Sequence, residues 1–344
     1  MEEEEEEEEE KPAAAAAASS SSSLRWGILR RALLPSSQSS ATTTTNNRQY
    51  VANTRKISRK AAGGFNLVSC HPLDNSNLAG TWSKIRDLAG PKDVCVCYNL
   101  PVAAGPQLVL IQRMEDCVDL DDFEISNKFD IDTTGLVCSW PSEDVLAYYC
   151  INHPNMFRSK RVLELGSGYG LAGFAIAASS EACEVVISDG NPQVVGYIQR
   201  SIHVNADIFG STKVSSMTLH WNQDQFMDLN SFDVIVASDC TFFKEFHESL
   251  ARTIKSLLKN SETSEAIFLS PKRGNSLDKF LKTIEDFGLH YELVEKYDNL
   301  VWDLHQKFLH SDDTSWPNYD KDHCYPLLAR ITFSSRDRSC QTAL

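Results

Sequence analysis

Residues 161–191 read RVLELGSGYGLAGFAIAASSEACEVVISDGN, and this stretch decides the fold. An apolar strand runs into an acid, Glu164, and then into a glycine loop, Gly166-Ser167-Gly168-Tyr169-Gly170. An apolar helical run follows, and a second apolar strand, Val185-Val186-Ile187, ends on Asp189. The order strand, glycine loop, helix, strand, acid is one mononucleotide-binding unit, which puts a nucleotide-like cofactor at the carboxyl edge of a parallel sheet.

Outward from this unit the alternation continues. Strands are expected over 162–165, 185–188, 215–219, 232–237, 266–270, 289–295 and 327–333, with helices over about 170–179, 192–206, 246–259 and 276–286. That pattern predicts an α/β fold, a doubly wound and mostly parallel seven-strand sheet. The last two strands are expected to form an antiparallel end, joined by a long loop over about 297–325. Trp140-Pro141-Ser142-Glu143-Asp144 opens a helix that leads into the first strand, with proline and acids in its first turn. Upstream, 49–136 carries short alternating runs (Phe65–Leu67, Val94–Tyr98, Leu108–Ile111) between Gly/Pro turns and reads as a small β-rich N-terminal lobe. Asp116–Asp122 reads as a solvated acidic turn. Residues 137–336 form the catalytic domain, and 337–344 a C-terminal tail. Residues 1–23 are Glu, Ala and Ser runs that cannot bury surface, a disordered tail. A short amphipathic helix (Leu24–Leu34) and a linker fill 24–48.

The charge of −14 is concentrated in that tail. Glu2–Glu10 supply nine acids, and the remainder carries 33 basic against 38 acidic side chains. No dense Lys/Arg stripe suggests a nucleic-acid partner. The ten cysteines include no CxxC pair, so no metal site is expected, and they read as buried thiols of a reducing compartment. No apolar run is long enough to span a membrane. The expected location is cytoplasmic, with the nucleus also open.

Three acids bear on which cofactor is held. The glycine loop departs from GxGxxG, with Leu171 at the sixth position, so by itself it fits dehydrogenases and methyltransferases alike. Glu164 ahead of it repels a diphosphate and suits a cation. S-adenosylmethionine carries a sulfonium and an ammonium and no phosphate, and Glu164 is expected to serve its methionine end, directly or through water. Asp189 can accept from ribose hydroxyls. Asp239 ends the buried run Phe232–Ser238 and precedes Cys240-Thr241-Phe242-Phe243. A charge at the end of a central strand lies where ligands bind. Asp239 would orient a target amine, and Phe242 or Phe243 would line its slot and tolerate a cationic product. A nicotinamide-dependent oxidoreductase and a non-catalytic scaffold are the competing readings.

The Glu-Leu-Gly-x-Gly loop, Asp189, Trp221 and Asp239-Cys240-Thr241-Phe242 resemble the seven-strand protein-lysine methyltransferases. Cys138–Cys150, Ser270–Ser276 and Tyr325–Leu328 look like the branch of that family that modifies calmodulin. The resemblance implies transfer of up to three methyl groups to one lysine of calmodulin, or else of another protein. It also implies that Trp140, the loop with Glu164, Gly166, Ser167 and Gly168, Asp189, Trp221 and Ser238 surround the cofactor. Lys272 and Arg273, at the carboxyl edge of the sheet, are expected to meet an acidic patch on calmodulin.

Overall fold

The computed structural model describes residues 63–73, 83–102, 105–114, 120–132, 134–222, 229–311 and 313–334. The acidic tail and the Leu24–Leu34 segment lie outside the described residues. In chain order the elements are β1 (Ser69–Pro72), α1 (Ser83–Leu88), β2 (Asp93–Asn99), β3 (Gln107–Arg113), α2 (Leu120–Phe129), α3 (Thr134–Val137) and α4 (Pro141–Asn152). Then come β4 (Arg161–Leu165), α5 (Leu171–Ser179), β5 (Glu184–Asp189), α6 (Pro192–Asn205), β6 (Lys213–Thr218), β7 (Val234–Ser238) and α7 (His247–Leu257). Last are β8 (Glu265–Ser270), α8 (Ser276–Asp286), β9 (Leu289–Val294), α9 (Asn299–Leu309), α10 (Lys321–Cys324) and β10 (Leu327–Phe333).

Seven strands form one sheet in the order β6-β5-β4-β7-β8-β10-β9. Its centre is parallel: Leu163 pairs with Val186 on one side and Ile235 on the other. Helices cover both faces, so β4 and β7 are near-continuous apolar runs with Val162, Leu163, Val234 and Ile235 wholly buried. β10 runs antiparallel and is inserted between β8 and β9, with Leu328 opposite both Leu269 and Val294. The strand order reverses between β4 and β7, and at such a switch point the loops leaving the carboxyl ends diverge and open a crevice.

The second sheet, β1-β2-β3, is antiparallel. Strand alternation sends Val96, Tyr98, Leu108 and Leu110 into the main core. Cys95, Cys97, Val109 and Ile111 face the other way, onto Ile85 of α1. Side chains of α6 satisfy the edge of β3: Val109 N donates to Asn205 Oδ1, and Ile111 N to Ser201 Oγ, both at 2.9 Å.

Three local expectations are corrected. Phe65–Leu67 is not a strand, because the amides of Leu67 and Val68 donate to the Asp144 carboxylate (2.8 and 2.9 Å) on the first turn of α4 and are not free for a ladder. The acidic segment does not end as a solvated turn. Asp122 lies in α2, buried, 2.7 Å from Arg113, which gives both charges a partner; residues 115–119 lie outside the described ones. The stretch 297–325 holds α9, started by Asp298, whose side chain accepts from Val301 N.

α9 buries His305 completely against Tyr325, ring centroids 4.0 Å apart, with Nδ1 2.7 Å from the Tyr319 hydroxyl. Burial, with Lys321 nearby, pushes its pKa down to about 4. The folded chain therefore resists a proton that the unfolded chain accepts near pH 6.5. Stability is held above that pH and lost as pH falls toward 4, by roughly 3 kcal/mol at most. In urea titrations across this range, His305→Phe is expected to remove that slope; an unchanged slope would exclude His305 as its source.

Candidate active site

The carboxyl ends of β4, β5 and β7 open into one cleft of about 1060 Å³, its mouth included. Loops shape it. After β4 the chain turns back through Gly166 and Gly168, both at φ +55°. A Cβ on Gly166 would lie 2.7 Å from Cys240 Sγ and 3.2 Å from Trp221 Cζ2, so only glycine lets the three segments meet. Asp189 ties the loop down, accepting from Gly168 N (3.0 Å) and Asn191 N (2.8 Å). Burial raises its pKa to about 6 against the pull of those two amides. Trp140, Gly166, Ser167, Gly168, Asp189, Trp221, Ser238, Asp239, Phe242, Phe243 and Arg273 all line this cleft. The two tryptophans are therefore not plain core residues.

Glu164 is the first correction among the site residues. It does not line the cleft. Its side chain turns into the start of α5, where Oε2 accepts from Gly173 N at 2.8 Å, and the residue is 2 % exposed. An acid at a helix N-terminus is favoured by the free amides and the dipole there. Burial, and then Glu143, raise its pKa well above the ordinary carboxyl value. Glu164 thus braces the glycine loop from behind. Glu164→Gln, which keeps shape and size, is expected to leave S-adenosylmethionine affinity within about threefold, whereas loss of a direct charge contact costs more than tenfold. Calorimetry decides between the two.

Arg273 is the second correction. Its side chain is not on the surface. Nη2 lies 2.7 Å from Asp239 Oδ1, and the two side chains are 5 % and 4 % exposed. The guanidinium carbon sits 4.6 Å from the Trp140 ring centre and 5.2 Å from that of Phe242. Asp239 turns the chain at φ +55°, a conformation that Asp tolerates better than most residues. Burial raises the Asp239 pKa, while Arg273 and Ser142 beside it pull it back. Lys272 is half-buried and does not line the cleft. Ser276 secures the aromatic turn by donating to the carbonyls of Thr241 (2.6 Å) and Phe242 (2.8 Å).

Other lining residues were not legible as such. Glu143, in the first turn of α4, accepts from Leu171 N at 3.4 Å and faces the cleft. His220 stacks on Phe129, centroids 4.8 Å apart, and forms a far wall. Cys240 packs under the loop, its thiol 3.4 Å from Leu165 O; burial pushes its pKa far up, so it is no nucleophile. For Glu143 the signal was present as a first-turn acid of a proline-led helix; for His220 and Cys240 nothing in the residue pattern marks them.

The doubly wound sheet with its antiparallel β10, and a cleft combining a glycine loop, a strand-end acid and an aromatic-lined carboxylate, define a seven-strand methyltransferase. The Methyltransf_16 family, described as lysine methyltransferase, matches residues 121–287. The calmodulin-lysine N-methyltransferase of Arabidopsis thaliana is 59% identical over 285 residues, 83% of this chain and 90% of that protein. The mouse protein-lysine N-methyltransferase EEF2KMT is 29% identical over 175 residues, 47% of this chain and 52% of its own. The chain belongs to this lysine methyltransferase family, and its methyl donor is S-adenosylmethionine. The cleft fits such a donor: it has the size for it and a loop whose glycines leave room for close approach.

Proposed function

We propose that the protein transfers methyl groups from S-adenosylmethionine to one lysine of calmodulin, up to three in succession. The observation that carries the choice of substrate is the 59% identity over most of both chains to a calmodulin-lysine N-methyltransferase. In this reading the Gly166–Gly168 loop, Asp189 and Trp221 hold the cofactor, with Trp140 and Ser238 at its edge. The bound cofactor supplies a methyl group on a sulfonium, open to in-line displacement. The protein's own task is positioning. Asp239 receives the incoming ammonium and orients it. Phe242 and Trp140 flank the carbon stem, and the apolar ring faces favour the neutral amine that can attack. The proton leaves to water, so Asp239 need not be the final base. The aromatic faces accept each methylated, cationic product and so permit repeated transfer.

Buried free thiols such as Cys95, Cys97 and Cys150 support a reducing location, cytosolic or nuclear. No helix among the described residues is long and apolar enough to cross a membrane.

The test is mass spectrometry of calmodulin after incubation with the purified protein and S-adenosylmethionine, with and without calcium. A single lysine gaining one to three methyl groups is expected. An unmodified calmodulin, together with a different labelled band from a cell extract given labelled cofactor, would move the activity to another protein lysine.

A further inference from the structure

The slot for the target amine is filled by the protein itself. A carboxylate (Asp239) and two aromatic faces (Trp140 and Phe242) make the surroundings that an alkylammonium seeks, and the Arg273 guanidinium takes all three. A lysine cannot reach Asp239 while that group stays between the rings, because both cations need the same carboxylate and the same space.

The pairing is close but poorly directed. Nη2 faces Asp239 Oδ1 at 2.7 Å without a well-aligned hydrogen bond, and Ser142 is the other polar neighbour of the carboxylate. The loop that carries the arginine is a tight turn at the surface. Arg273 sits at φ +44° and Gly274 at φ +70°. Gly274 and Asn275 are exposed, and a Cβ on Gly274 would meet nothing within 4 Å. Besides the turn's own backbone bonds, residues 273–275 are tied to other segments by Arg273 N to Asp322 O at 2.7 Å and, on the surface, by Lys244 Nζ to Asn275 Oδ1 at 2.7 Å, while Ser276, next in the chain, is fixed to the carbonyls of Thr241 and Phe242.

We infer that Arg273 determines substrate specificity by ion-pair exchange. An acidic side chain beside the target lysine draws the guanidinium out, and the lysine takes its place on Asp239. Charge is conserved: two ion pairs are broken and two are made. A lysine without a neighbouring acid offers Arg273 nothing in return, and the slot stays shut. This rests on the lysine methyltransferase reading, and it makes the substrate class a lysine flanked by carboxylates.

The test compares wild type with Arg273→Met, which keeps the apolar stem without the charge. Each is given calmodulin and a calmodulin whose acids flanking the modified lysine are changed to amides. For wild type, kcat/KM is expected to fall on the order of tenfold or more on the amide substrate. For Arg273→Met the two substrates should differ by less than about threefold, with cofactor affinity retained. Equal sensitivity of both enzymes to the amide change would overturn the exchange. So would an Arg273→Met that binds cofactor but turns over neither substrate, which would make Arg273 a residue that only positions Asp239. If Arg273→Met does not bind cofactor, Arg273→Lys replaces it and should restore part of the discrimination. If wild type leaves calmodulin untouched, the calmodulin reading fails by itself, and the same comparison is made on the protein labelled in the extract.

Discussion

Asp239→Asn is expected to lower the methylation rate on the order of a hundredfold or more while leaving S-adenosylmethionine affinity within a few-fold. The reason is geometric. Asp239 follows the central strand β7, pairs with the guanidinium that lies over Trp140 and Phe242, and stands on the far side of the switch point from the glycine loop. An amide there can accept one hydrogen bond but cannot offset a cation. The same change should weaken the fold, because Arg273 is left buried with no counter-ion, a situation that costs about 3–5 kcal/mol. The two effects separate in the double variant Asp239→Asn/Arg273→Met. Removing both charges is expected to return most of the unfolding free energy and none of the activity. Single-turnover rates and urea midpoints read the two quantities independently. An Asp239→Asn enzyme within threefold of wild type would remove Asp239 from the reaction.

The second large effect is expected at the glycine loop. Gly166→Ala should weaken cofactor binding at least tenfold. The backbone there is left-handed, which costs an alanine about 1–2 kcal/mol. The methyl group would also stand 2.7 Å from Cys240 Sγ and 3.2 Å from Trp221, so the loop, the thiol or the indole has to give way at the place proposed for the cofactor. Gly210→Ala provides the control. Gly210 has φ +56°, almost the same conformation, with nothing within 4 Å of a Cβ. It should show the backbone cost in thermal unfolding and no change in calorimetric cofactor affinity. If both variants bind cofactor like wild type, the loop does not hold it.

The sheet was legible because its centre is buried on both faces. Runs such as Val234–Ala237 have no amphipathic alternative, and the glycine loop and strand-end acids mark where they stop. What the residue pattern could not reveal is direction. Glu164 stands at a strand end beside a cofactor loop, but its carboxylate faces α5. The mark of this is Gly173: a Cβ there would be 2.5 Å from Glu164 Oε2, so the helix leaves a hole for the acid. Arg273 looks like a solvated turn residue in the run Pro-Lys-Arg-Gly-Asn. Only the fold brings it onto Asp239, whose loop leaves a different strand. The helix α9 has a faint mark in the sequence: Val301, His305 and Phe308 recur at helical spacing behind the capping Asp298, within a run that also carries charges.

The insertion of β10 between β8 and β9 bears on how the chain is made. Of the seven strands, the one synthesised last belongs inside the sheet and not at its rim. While the chain emerges, β8 and β9 each present an open ladder, and neither can be completed until residue 333 has left the ribosome. The N-terminal strands can pair as they appear; the closing step waits for β10. Ribosome-stalled chains ending before Leu327 should therefore be held by chaperones and cut readily by protease between β8 and β9, and those a few tens of residues longer than Phe333 should resist.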